Sequence, residues 1–181
     1  MKKILIATSL LASVLTGCSS NTKFDINLEN LSEEVSLKPA VIAVHGRNFN
    51  LNANQNEAIA DALKVFLETD DASELKKALL NAGAKKVLYM QDEIKPGTIG
   101  HFDFKYDVSQ SKGVYLTGYQ KLDESNYSYI GGLGIYDRAK DEPSKARYWM
   151  YSYDLITKEY SKDKEMFRTY LTANGYSEEE E

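Results

Sequence analysis

The chain has 181 residues, with 22 Lys and Arg against 27 Asp and Glu and a formal net charge of −5. That balance argues against a nucleic-acid binder, whose affinity rests on clustered Lys and Arg set against phosphate, and against a polybasic contact with an anionic lipid surface. A single cysteine excludes a disulfide framework, and the length suits one domain that is stable without such staples.

The chain opens on Met1-Lys2-Lys3, continues with uncharged apolar and small residues from Ile4 to Leu15, and reaches Thr16-Gly17 just before Cys18. A basic start, a short apolar run and small residues at a cleavage point make a secretory signal. The apolar run is about a dozen residues, well short of the ~20 that cross a bilayer as a helix. Leu15-Thr16-Gly17-Cys18 resembles the lipobox of bacterial lipoproteins. The resemblance implies removal of residues 1–17, diacylation of the Cys18 thiol and acylation of the new amino group. Each buried methylene contributes ~0.8 kcal/mol, so two or three chains hold a protein on a membrane where one would not. Ser19-Ser20 stand where an Asp would imply retention in an inner membrane, so the resemblance points to the periplasmic face of an outer membrane. Loss of Lys2 and Lys3 with the signal leaves 20 basic against 27 acidic residues and a net charge of −7.

Residues 19–38 are polar with scattered Ile, Leu and Val, and read as a tether reaching at most ~65 Å when extended. Ala40–Val44, bounded by Pro39 and Gly46, is a short β-branched run and predicts a buried strand. Asn54 and Glu57 have the spacing of a capping box. Behind them Ala58, Ile59, Ala62, Leu63, Phe66 and Leu67 form one apolar stripe at helical period. Asp71 and Glu74 suggest a second cap, Leu75, Ala78, Leu79 and Ala82 a second helix, and Gly83 its stop. Val87–Met90 predicts a strand. This outline of strand, helical crossover and strand can be read as a parallel pair and is similar to the opening of the Tol translocation and penicillin-binding-protein-activator lipoprotein domains.

From His101 to Val108 polar and apolar residues alternate, the pattern of a half-buried strand. Val114–Leu122, Tyr127–Tyr136 and Arg147–Ile156 follow with turn-rich links and predict a four-strand antiparallel meander. Glu159–Leu171 carries a weaker helical pattern. The expected fold is α+β: a mainly antiparallel sheet, the meander plus one or two further strands, with two to three helices packed on one face. The expected organisation is a removed signal peptide (1–17), a lipidated N-terminus and tether (18–38), a single domain (39–175) and an acidic tail (176–181).

Candidate chemistry is sparse. His45-Gly46 after a strand resembles the oxyanion loop of α/β-hydrolases, but the chain has no G-x-S-x-G elbow to supply a nucleophile, and the plain reading is a turn after a buried strand. His45 and His101, the two histidines, would need to meet in space and recruit Asp103 to hold a metal. They lack the close spacing of a metal motif, so the expectation is bonded or solvent-facing histidines with no metal and no cofactor. Gly131-Gly132-Leu133-Gly134 lacks the full G-x-G-x-x-G of a phosphate loop, no helix pattern follows it, and it reads as a bulge or a bend in a strand. Trp149, Tyr151 and Tyr153 would share one strand face, and such aromatics supply contact area with a polar handle. The sequence therefore points to a membrane-anchored, non-catalytic protein-binding module: an envelope assembly or activator factor, an inhibitor or an immunity protein, with a basic partner favoured by the acidic charge. An envelope-polymer or lipid hydrolase using carboxylates and a small-ligand binder are the alternatives.

Overall fold

The computed structural model describes residues 21–30, 36–47, 49–108, 112–122, 126–137, 142–143, 147–150, 152–154 and 167–173. Three layers result: two helices, a six-stranded sheet and a four-stranded sheet.

The middle layer is built around Ala40–His45 (β2), buried at every position. Its odd residues Val41 and Ala43 join a core with the helices, while Ile42 and Val44 join the core between the sheets. A strand covered on both sides needs the unbroken apolar run seen in the sequence. The helices are Glu57–Thr69 (α1) and Ser73–Asn81 (α2). Of the expected stripe, Ile59, Ala62, Leu63, Phe66 and Leu67 are buried, and α2 contributes Leu75 and Leu79. The α1 cap lies two residues beyond Asn54: Asn56 accepts from the Ile59 N–H, while Asn54 belongs to a short 3₁₀ turn, Ala53–Gln55. At the other end of α1, Asp70 adopts a left-handed conformation (φ 61°) and receives Lys121 Nζ at 2.6 Å, tying the helix to the sheet. The Tyr119 hydroxyl, pushed upward in pKa chiefly by burial, accepts from the Ala53 N–H at 2.8 Å and donates to the Leu51 carbonyl.

Lys86–Met90 (β3) pairs with β2 antiparallel, which corrects the expected parallel pair. One crossover helix would return the chain to the starting end of β2. Two helices joined by a tight link carry it back to the end where β2 finished, so β3 must run the opposite way. Gly113–Lys121 (β5) pairs with the other side of β2, and Asn126–Asp137 (β6) follows it as an antiparallel neighbour. The register slips opposite Thr117, where Gly132 takes a positive φ of 67°, so the glycines mark the expected bulge. Glu142–Pro143 (β7) and Ser152–Asp154 (β9) both pair with β6.

The other sheet runs in the order Ile99–Asp107 (β4), Asn21–Asn30 (β1), Phe167–Ala173 (β10) and Arg147–Met150 (β8), antiparallel throughout. Two expectations fall here. Residues 21–30 are no tether: Phe24, Ile26 and Leu28 alternate into the inter-sheet core, and polar residues between them face out. The four predicted strands are also no single meander. β4 pairs with β1 instead of β5, and its inner residues Phe102, Phe104 and Tyr106 pack across the sandwich. Of the predicted final helix, residues 159–166 lie outside the described residues, and 167–171 belong to β10. The acidic tail 176–181 and residues 1–20 also lie outside them. The fold is α+β, sheet-dominated and antiparallel, with both helices on one face of the six-stranded sheet.

Candidate functional site: an open sheet edge and its charges

β3 ends the six-stranded sheet and β4 ends the four-stranded one, and the two ends lie side by side. Lys86 of β3 bridges them: its Nζ lies 3.4 Å from the Lys105 carbonyl oxygen and 5.7 Å above the Phe104 ring. Between the edges is a cleft of about 140 Å³ lined by Ile42, Leu88, Tyr89, Met90, Phe102 and Asp103. The link from β3 to β4 is pinned by buried Asn30, whose Nδ2 donates to the Ile94 carbonyl at 2.9 Å and whose backbone bonds Gly97 and Thr98. Gly97, at φ 67°, supplies the turn after Pro96. β4 therefore has nine residues in a fixed line, and among the described residues no strand pairs with its outer edge. Ile99, 52% exposed, begins that line. Open main-chain groups beside a side-chain pocket are the two parts of strand-addition recognition.

On the outward face β1 places Lys23, Asp25 and Asn27 against Lys105, Asp103 and His101 of β4. Lys23 Nζ sits 3.0 Å from Asp25 and 3.5 Å from Asp103, and hydrogen bonding to Asp25 is the main cause of its raised pKa. His101 Nδ1 lies 2.7 Å from Asn27 Oδ1, so Nδ1 donates and Nε2 is left facing Asp25 at 3.9 Å. Ligand atoms of Asp25, His101 and Asp103 come within 4.8 Å of one another, a set of the type that takes a divalent cation. The Lys23 ammonium already bridges both carboxylates, so the arrangement is an ion-pair network. His101 and Asp103 thus meet as a metal site would require, but with Asp25 in place of His45.

His45 lies on the helix side of the six-stranded sheet. Its Nδ1 bonds the Gly46 carbonyl at 2.8 Å and its Nε2 lies 2.9 Å from Thr117 Oγ1. The carbonyl can only accept, so Nδ1 carries the proton and the Thr117 hydroxyl donates to Nε2. Thr117 Oγ1 in turn accepts from the Gly132 N–H at 3.2 Å. His45 therefore links the β2 end to the β6 bulge, and burial is the main cause of its lowered pKa. The native state holds it neutral while the unfolded chain takes a proton below ~6.5. Its contribution is present above that pH and is lost as pH falls toward the folded value. Urea melts at pH 7.5 and pH 5 should show wild type losing more stability on acidification than His45→Gln; equal losses would exclude this role.

The three aromatics do not share a strand. Trp149 is in β8 of the four-stranded sheet and Tyr153 in β9 of the six-stranded one, while Tyr151 falls between them outside the described residues. The chain changes sheets at that point, which removes the period-two face that the sequence implied. Cys18 also lies outside the described residues. Among those described, no helix is long and apolar enough to cross a membrane. Comparison of the chain with protein-family models, with curated proteins and with solved structures finds no match. Sequence reasoning missed Asp25, Lys86 and the open edge of β4; the alternation of 23–29 and of 101–107 was the available signal.

Proposed function

We propose that this chain is a lipid-anchored envelope protein whose domain acts by binding a protein partner through the open edge of β4. Cys18 carries the acyl chains and holds the domain at the periplasmic face of an outer membrane; the role is that of an assembly or activator factor, an inhibitor or an immunity protein. The observation that carries the binding reading is the nine-residue edge with an apolar cleft beside it. An extended segment there gains main-chain hydrogen bonds from β4 and side-chain contacts from Leu88, Met90 and Phe102. The test is affinity capture of the lipidated protein from envelopes with identification by mass spectrometry. Ile99→Lys, an exposed substitution at the edge, should deplete the captured partner and leave the melt unchanged. Turnover of peptidoglycan or phospholipid by the purified protein, lost when one Asp or Glu is neutralised, would overturn the reading in favour of a hydrolase.

A further inference from the structure

We infer that the partner at the outer edge of β4 is the same edge of a second copy of this chain; this rests on the reading of β4 as the contact surface and names what it binds. Two copies related by a two-fold axis bring one edge against itself antiparallel. Because side chains alternate, only even shifts keep Phe102, Phe104 and Tyr106 on the inner side. Three central registers meet that condition, and charge separates them. With the axis at Phe104, Asp103 stands opposite Lys105 and His101 opposite Asp107, each pair occurring twice; inside, Phe102 meets Tyr106 and Phe104 meets its copy. With the axis at Asp103, that carboxylate faces itself and His101 faces Lys105. With the axis at Lys105, that ammonium faces itself and Asp103 faces Asp107. Opposite charges and aromatic pairs across strands stabilise a sheet, and like charges directly opposite destabilise it. Of these three central registers, only the one at Phe104 sets opposite charges against each other without setting a like charge against itself.

The edge itself fits this occupant. The Lys105 carbonyl turns outward, where the Lys86 ammonium now meets it. An N–H from the second copy would take that place and displace the Lys86 ammonium, which covers this carbonyl in the single copy. The four-stranded sheets of both copies then run on as one.

Two full-length copies bearing different tags, produced together and extracted from envelopes in mild detergent, test this by capture on one tag and detection of the other. Wild type should recover its second copy. Lys105→Glu sets like charge against Asp103 at both symmetric positions and should lower recovery by about tenfold or more. Asp103→Lys combined with Lys105→Glu recreates the opposite pair and should restore it. Both sites are exposed, and a circular-dichroism melt for each variant keeps folding separate from pairing. All variants keep the same acyl chains, so mixing within micelles cannot produce the loss and the recovery together. No recovery by wild type, recovery unaffected by Lys105→Glu, or no rescue by the double change overturns self-pairing. If self-pairing fails but Ile99→Lys still depletes another captured envelope protein, β4 remains the contact surface; if no β4 change alters any capture, both readings fall.

Discussion

Phe66→Ala should lower the unfolding free energy of the domain by about 3–5 kcal/mol, and Leu63→Ala by about 2–5 kcal/mol. Both side chains are fully buried on the face of α1 that meets Val41, Ala43, Tyr119 and Tyr127 of the sheet. The Phe66 ring also stands edge-on to Tyr89 at 6.4 Å between centroids, a contact that Ala abolishes. Against a total stability of ~5–15 kcal/mol, either loss is large, and no disulfide limits it. Urea melts of the chain from Ser19, followed by far-ultraviolet circular dichroism, supply the measurement. Val65→Ala on the same helix is the control: Val65 is 41% exposed and its truncation should stay within ~0.5 kcal/mol. A midpoint unmoved by Phe66→Ala would mean that α1 does not cover the sheet.

Cys18→Ala should abolish acylation and maturation altogether, leaving the chain without its lipid anchor or with its signal uncleaved, an effect of kind more than degree. Without the thiol there is no acceptor for the diacylglycerol, and the resemblance at Leu15–Cys18 implies that cleavage depends on that step. Metabolic labelling with an alkyne palmitate should mark wild type and leave the variant unmarked, and fractionation should move the variant out of the outer-membrane pool. Equal labelling of both would remove the lipoprotein reading. The strand β1 sharpens what anchoring means here. Asn21 already pairs with Asp107, and three peptide units from Cys18 span only ~10 Å. An anchored domain would stand at the lipid surface without the long reach a tether would give.

The helices and β2 were legible because each carries a single dominant period. Ile59, Leu63, Phe66 and Leu67 cannot line one face in any other regular structure, and Val41–Val44 has no polar position to expose. β1 was hidden by its polar partners. Lys23, Asp25, Asn27 and Glu29 give the segment the composition of a linker, although Phe24, Ile26 and Leu28 keep strict alternation between them. Alternation was recognised in β4, but alternation states which residues face inward and does not state which sheet they join. Long-range pairing decided that, for β1 and β4 lie far apart in the chain. The same limit applies to Trp149 and Tyr153, which are separated by a change of sheet that no local pattern records. The candidate site was half visible: His101 and Asp103 share a face by spacing alone, whereas Asp25 and Lys86 arrive from other strands.

The position of β1 between β4 and β10 also bears on the order of assembly. β2 through β6 with both helices occupy the continuous stretch from Ala40 to Asp137, so the helix layer and most of the middle sheet can form as soon as that stretch has been synthesised. The outer sheet draws on residues 21–30, 99–107, 147–150 and 167–173, and β1 has one neighbour from mid-chain and one from its far end. Closing so long a loop is slow because its entropy must be met before the contacts form. The first strand to emerge is therefore among the last to be enclosed, and Phe24 waits for Ala173 to arrive beside it.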